Sequence, residues 1–293
     1  MEIPIYQRNY DWKVSQCERL FDDLLYAGEN NLGNHFFGSI VRQVGSNEVS
    51  QIIDGQQRIT TVSLLVSAMA NAASHGEIEV NSEKQIHQIR HQFLFDEDEE
   101  TRRKIYLKPV KKDTEAFDSI VYDKPLPSSA QDSNIAKNYE YLYNRVVNCG
   151  LSLGELVDLV KKLEVMDLKL SPSDDAQLIF ESLNSTGLAL SESDKVRNYL
   201  LMNLAPEEQQ QCYNEYWLKI EECTQLDDSN SADIATTTLF IRDYITIKLG
   251  RICRKDSIYE EFKGMCEREP LTRPERLSEM LTYARANYCI LNA

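Results

Sequence analysis

Residues 59–73, ITTVSLLVSAMANAA, are helical in pattern and apolar on most sides, and a helix of that kind is stable only when other elements cover it. The chain must therefore build a core around this segment, and Gly76 just beyond it marks where the helix stops. Immediately before it, the β-rich run EVSQIID (48–54) leads through Gly55 into Gln56, Gln57 and Arg58, so a strand hands over to a buried helix through one glycine.

The rest of the pattern predicts α+β organisation. SQCERLFDDLLYA (15–27) reads as a helix with Ser15 as N-cap, Glu18 completing a capping box and Gly28 as the stop. HFFGSIVRQV (35–44) and EVSQIID flank Gly45, Ser46 and Asn47 as a hairpin with a short turn. A helix around 83–94, a strand at KIYLK and a turn-rich loop, KPLPSSAQDSN (124–134), follow. From Asn134 onward the text is helical apart from a strand at VMDLKL (165–170). This places a small mixed α/β N-terminal module over 1–123 and a mainly α-helical domain over 134–293, with the loop as the seam. No fixed-period repeat is visible, which excludes a solenoid.

At 293 residues the chain has room for two cores. No run of about 18 apolar residues offers a membrane span, and MEIPIYQRNY lacks the basic and apolar regions of a secretory signal, so the expected location is the cytoplasm. Seven scattered cysteines without C-x-x-C spacing read as reduced structural thiols. A net charge of −15 argues against non-specific coating of nucleic acid. Arg8 with Lys13, Arg42 with Arg58, and TRRKIYLKPVKK (101–112) are the local basic patches, the last reading as a charged linker after DEDEE (96–100).

The strand-to-helix handover carries the chemistry. Unpaired N–H groups at the helix start attract an anion, Gly55 allows close approach, Arg58 can grip phosphate oxygens through two N–H bonds, and Thr60 or Thr61 can add a hydroxyl. Asp54 would repel phosphate unless it holds Mg²⁺ or positions water, and Gln56 and Gln57 have amides suited to orienting that water. The competing reading is that Asp54 caps the helix and Arg58 makes a surface ion pair. No Gly-rich phosphate loop of the G-x-x-x-x-G-K type occurs. In IPIYQRNYDW (3–12), Tyr6, Tyr10 and Trp12 fall at even spacing with Arg8, as on one face of a strand; they serve either as flat faces for a base or as core, while Gln7 and Arg8 can bond phosphate oxygens. Ser191 and Asp194 form a capping box before a helix carrying Arg197 and Asn198, with Asn184 and Gly187 in the turn ahead. His87 and His91 share a helix face, but with no acid between them and no third histidine nearby they read as a solvated face.

IPIYQRNYDW, HFFGSIV, IIDGQQRITT and FESLNSTGLALSESDKVRNYLL (180–201), in that order, resemble the N-terminal domain of GmrSD-type modification-dependent restriction proteins. Within it, DGQQR is similar to the phosphate-binding motif of the ParB and sulfiredoxin superfamily, which implies a ParB-like fold for about the first hundred residues. The resemblance implies a cytoplasmic defence protein that binds and hydrolyses a nucleoside triphosphate, GTP above all, with Mg²⁺, and couples recognition of modified DNA to cleavage. Asp54, Gln57 and Arg58 would be catalytic, with Asp54 on the metal; Gly55, Gln56, Arg58, Thr60 and Arg8 would bind nucleotide. Tyr6, Gln7, Arg8, Tyr10 and Trp12 match the block that reads DNA in phosphorothioate-sensing relatives, and Asn184, Gly187, Asp194, Arg197 and Asn198 lie in a supporting segment. Relatives carry a His-Asn-His nuclease domain or subunit, but no histidine follows His91, so cleavage is not expected from this chain. The block starting at Ile3, almost at the terminus, suggests a truncated start. The implied partners are modified DNA, that nuclease and a second copy of the chain, but not a membrane. A different class of reading is a non-catalytic reader of DNA modification that uses nucleotide only as a switch.

Overall fold

A computed structural model describes residues 1–44, 49–96, 104–171, 174–184, 190–202, 204–224 and 233–291. It is mixed α+β, with two compact units: residues 1–4 and 8–174 form the first, residues 5–7 and 175–293 the second.

In the first unit the order is α1 (Val14–Glu29), β1 (His35–Val44), β2 (Ser50–Asp54), α2 (Gln56–Ser74), α3 (Glu83–Phe93), β3 (Phe95–Asp96), β4 (Lys104–Ile105), α4 (Lys111–Val121), α5 (Asn134–Asn148), α6 (Leu153–Val160) and β5 (Leu163–Leu170). As its pattern demands, α2 is the spine: fourteen of its nineteen residues are buried, and α3, α4, α5 and α6 all pack on it. It ends as expected, with Gly76 in a left-handed conformation and the Glu77 N–H returning to the Ala72 carbonyl. Because α5 supplies one of the faces that α2 needs, the compact units divide at Asp174, and the loop 124–134 lies inside the first of them.

The sheet has the order β2-β1-β5, antiparallel between β1 and β2 and parallel between β1 and β5. Register shifts between Val41 and Arg42 and between Phe36 and Gly38 mark two irregularities beside the β2–α2 junction. The hairpin turn 45–47 lies outside the described residues, as do most of DEDEE and the first three residues of TRRKIYLKPVKK.

Two local expectations are corrected. Helix α1 starts at Val14 with Lys13 as N-cap, so Ser15 lies in its first turn; the Gln16 side chain, not Glu18, closes the end by accepting from the Lys13 N–H at 2.8 Å. IPIYQRNYDW is not a strand. Apart from bridges at Glu2 it is irregular, and Tyr6 belongs to the second unit while Tyr10 lies in the core of the first, so even spacing does not put them on one face.

The second unit contains α7 (Ala176–Asn184), α8 (Glu192–Leu201), α9 (Pro206–Cys212), a π-helical turn (Tyr213–Trp217), α10 (Leu218–Thr224), α11 (Asp233–Leu249), α12 (Ile258–Arg268) and α13 (Arg273–Leu291). Trp217, Tyr244, Phe262 and Met280 fill its core. Buried Arg276 is neutralised by Glu279 at 2.8 Å and bonded to the Tyr244 hydroxyl. All seven cysteines are free thiols, and burial pushes Cys17 up to about 11.

Polar Asn71 within apolar α2 is explained by its partners: its amide nitrogen donates to the Ile120 carbonyl and the Tyr139 hydroxyl, and its oxygen accepts from Arg90. Replacing it with leucine removes all three bonds, and although the Ile120 carbonyl keeps the Asp123 N–H and Arg90 keeps the Val121 carbonyl, the loss is worth about 1–3 kcal/mol. Asn71→Leu is therefore expected to lower the urea midpoint at unchanged slope, although the helix becomes more apolar.

Candidate functional site

Asp54 is the last residue of β2, and Gly55 turns the chain into α2 with φ +92°. A Cβ there would lie 2.9 Å from the Ser39 carbonyl and 3.1 Å from Ile40 Cα, so glycine is required by both conformation and space. Arg58, on the first turn, donates from Nη1 to the Ser39 carbonyl at 2.9 Å, and the same nitrogen lies 3.7 Å from Asp54 Oδ2. Both side chains are about a quarter exposed. Gly38, at φ +107° in the β1 irregularity, makes room: a Cβ would stand 2.8 Å from Arg58 Nε. The N-cap of α2 is Gly55 and no side chain caps this end, so the ion-pair half of the structural alternative is realised and the capping half is not.

Gln56 and Gln57 do different work from that expected. Gln57 Oε1 accepts from the backbone N–H groups of Asp11 (2.9 Å) and Trp12 (3.1 Å), while its Nε2 donates to the Asn9 carbonyl. Gln56 Nε2 donates to the Arg8 carbonyl. With its oxygen accepting two backbone N–H groups and its nitrogen donating to a carbonyl of the same segment, Gln57 holds the chain. Gln56 Oε1, by contrast, is buried without a hydrogen-bond partner. Thr60 is buried in the packed body of α2, and Thr61 bonds the Tyr10 hydroxyl at 2.7 Å. Segment 8–12 is pinned from other sides by Asp113 on the Tyr10 N–H (2.6 Å), Asn134 on the Tyr10 carbonyl, and Asn138 on the Tyr10 hydroxyl and Trp12 carbonyl.

The DNA-reading candidates separate. Tyr6 and Tyr10 are 1% and 5% exposed and Gln7 is buried, so none of the three presents an open face. Burial pushes both phenols well above their usual range, keeping them neutral. Trp12 is half-buried and meets Phe37 edge to face. Arg8 lies 3.9 Å from Asp11, Lys13 pairs with Asp11, and Arg42 grips Asp167 through two nitrogens, so these basic residues are charge-compensated by acids.

In the second unit Ser191 caps α8 by accepting from the Asp194 N–H, as the sequence predicts. Buried Arg197 donates to the Tyr6 carbonyl (2.7 Å), Asp194 (2.6 Å) and Glu221 (3.2 Å), and Trp217 also donates to Glu221. Asn198 is buried with its oxygen unpartnered; Asn184 ends α7, and Gly187 lies outside the described residues. A cleft of about 450 Å³, lined by His75, Tyr139, Glu140 and Tyr143 among others, lies at the other end of α2. The helix length separates it from Asp54 by roughly 28 Å.

Against family models, residues 1–201 match the N-terminal domain of the GmrSD restriction endonuclease. The chain belongs to that family. This GmrSD N-terminal domain is thus part of a restriction-type defence protein, whose family implies DNA as target and a nuclease domain as partner. Comparison with curated proteins finds no match. Among the described residues no helix is long and apolar enough to cross a membrane.

Sequence reasoning missed Gly38, Asp113, Asn134 and Asn138. A glycine inside the strand pattern HFFGSIV is a signal for a bulge or close approach and could have exposed Gly38. Asn138 gives no such signal, because an asparagine in a polar helical stretch reads as solvated. Gln57→Leu should strand two N–H groups and one carbonyl, lowering stability by several kcal/mol on the scale of about 1–3 kcal/mol per group and accelerating amide exchange at Asp11 and Trp12. Gly38→Ala should displace the Arg58 guanidinium, which nuclear magnetic resonance of the arginine Nε–H would detect as a shift of that one signal.

Proposed function

We propose that the start of α2 binds the phosphates of a nucleoside triphosphate, GTP first among candidates, with Mg²⁺, and that its hydrolysis couples recognition of modified DNA to cleavage by a partner nuclease. The observation that carries this is the junction itself: an uncapped helix N-terminus, a guanidinium and a carboxylate 3.7 Å apart, and the unpartnered buried Gln56 Oε1 on the same turn. A neutral structural junction has no need of a buried acceptor left without a donor, whereas a ligand hydroxyl or a bound water supplies one.

Arg58 is the phosphate group of this reading. Its Nη1 rests on the Ser39 carbonyl, which fixes the guanidinium against the strand. Asp54 suits Mg²⁺, which takes one or two protein carboxylates, keeps several waters and completes its shell with phosphate oxygens. That ion would neutralise phosphate charge and lower the pKa of a bound water. Gly55 lets the turn pack against Ser39 and Ile40, and Gly38 leaves room for the Arg58 guanidinium. Segment 8–12, tied by Gln56 and Gln57 to the turn that would meet the phosphates, offers a direct route between nucleotide and the block assigned by resemblance to DNA reading.

A second reading is favoured by one observation: Gln57 Oε1 already accepts two backbone N–H groups, which leaves it no acceptor to take a hydrogen bond from an attacking water. On that reading the nucleotide is a switch, bound and released without hydrolysis.

The test is a thermal-shift titration of GTP and ATP with and without Mg²⁺, followed by single-turnover phosphate release. Ligand at 100 times Kd should stabilise the native state by about 2.7 kcal/mol. Arg58→Ala should abolish that shift. Asp54→Ala should retain nucleotide binding but lose its Mg²⁺ dependence and turnover, with Asp158→Ala as an unaffected control. Tight binding without phosphate release selects the switch, and wild-type turnover in both variants removes the assignment.

A further inference from the structure

Among the described residues strand β5 forms one edge of the sheet, and six consecutive residues, 164–169, are exposed. Three of them are large and apolar: Val165, Met166 and Leu168 are 38%, 58% and 41% exposed. The strand contains neither proline nor glycine, so what guards this edge against pairing is charge alone, at Glu164, Asp167 and Lys169, and a partner that answers those charges removes the guard. The His35 N–H donates to the Lys162 carbonyl at 2.7 Å. By the alternation of a parallel ladder, even-numbered residues of β5 then turn their backbone groups to β1, and 163, 165, 167 and 169 turn theirs outward.

We propose that this edge pairs antiparallel with the same edge of a second copy of the chain, about a two-fold axis at Leu168. Such pairing keeps each face of the sheet on its own side, so directly opposed residues share parity. Three axes deserve comparison. An axis at Asp167 sets two carboxylates opposite each other, which is unfavourable. An axis at Met166 sets Val165 against Asp167, leaving the charge unanswered. An axis at Leu168 sets Asp167 against Lys169 twice, Met166 against Leu170 twice and Leu168 against itself.

In that last register the outward-facing pair, Asp167 and Lys169, exchanges backbone hydrogen bonds, and the next outward residue, Val165, meets Ser171. The strand is thus complementary to itself in charge and in backbone pattern. Asp167 is already oriented by two bonds from Arg42, which hold its carboxyl below the usual range and keep it charged toward the lysine of the second copy. With a net charge of −15 per chain, long-range repulsion opposes the pairing, so association should be stronger at about 0.15 M salt than at about 0.01 M.

Sedimentation velocity of the full chain across a concentration series tests this, with a monomer–dimer equilibrium expected. Lys169→Glu places like charges opposite at two positions and should raise the dissociation constant at least tenfold, at an unchanged melting temperature of the monomer. In a Cys289→Ser background, Leu168→Cys should form a disulfide with itself on mild oxidation, because opposed residues of a non-hydrogen-bonded pair lie about 4.5 Å apart at Cα. Val165→Cys in the same background should not. A chain that stays monomeric at every concentration overturns the proposal, as does a dimer that tolerates Lys169→Glu and yields no 168–168 disulfide.

Discussion

Two adjacent side-chain amides hold this site together. Gln56 and Gln57 occupy the first turn of the most buried helix in the chain, and between them they bond the backbone of residues 8, 9, 11 and 12. Segment 8–12 has no regular secondary structure to satisfy its own N–H and carbonyl groups, so without these amides it would leave polar groups stranded against a core. The clamp requires α2 to begin immediately after β2, and that requires Gly55, the only residue that fits against Ser39 and Ile40 with a positive φ. Geometry at the junction, placement of Arg58 and order in segment 8–12 are therefore consequences of one turn.

The cations around the junction each lie beside a carboxylate, although two of them share one. Arg58 faces Asp54, Arg42 grips Asp167, and Arg8 and Lys13 share Asp11. A chain of net charge −15 with most of these cations compensated repels ordinary duplex DNA overall. Arg58 has a closest bond to a carbonyl, with its carboxylate partner at the longer distance of 3.7 Å, so this exposed-edge ion pair contributes little to stability.

Tyrosines 6 and 10 show how a motif can be legible and still be misread. Their aromatic character and spacing suggested a common face, and the rings are in fact buried in different units, each with its main chain held by polar side chains. Arg197, read from the sequence as a helix residue near a capping box and by resemblance as part of a supporting segment, holds the Tyr6 carbonyl while neutralised by Asp194 and Glu221. The polar groups around these two tyrosines thus serve largely to satisfy the main chain.

Periodicity and turn chemistry alone determined the α+β class, the buried nature of α2 and its glycine stop, the β1 and β2 strands, the late strand β5 and the helical character of the rest, because each depends on contacts within a few residues. The DGQQR stretch announced a strand-to-helix junction with a guanidinium beside a carboxylate, and the structure has one. Tertiary structure alone decided that α5 and β5 belong with the N-terminal unit, that Gln57 is a clamp, that Gly38 seats Arg58 and that Asn138 reaches Tyr10 and Trp12. Those facts rest on contacts between residues far apart in the chain, where hydrogen-bond partners and close approaches are set by packing and leave no local pattern to read.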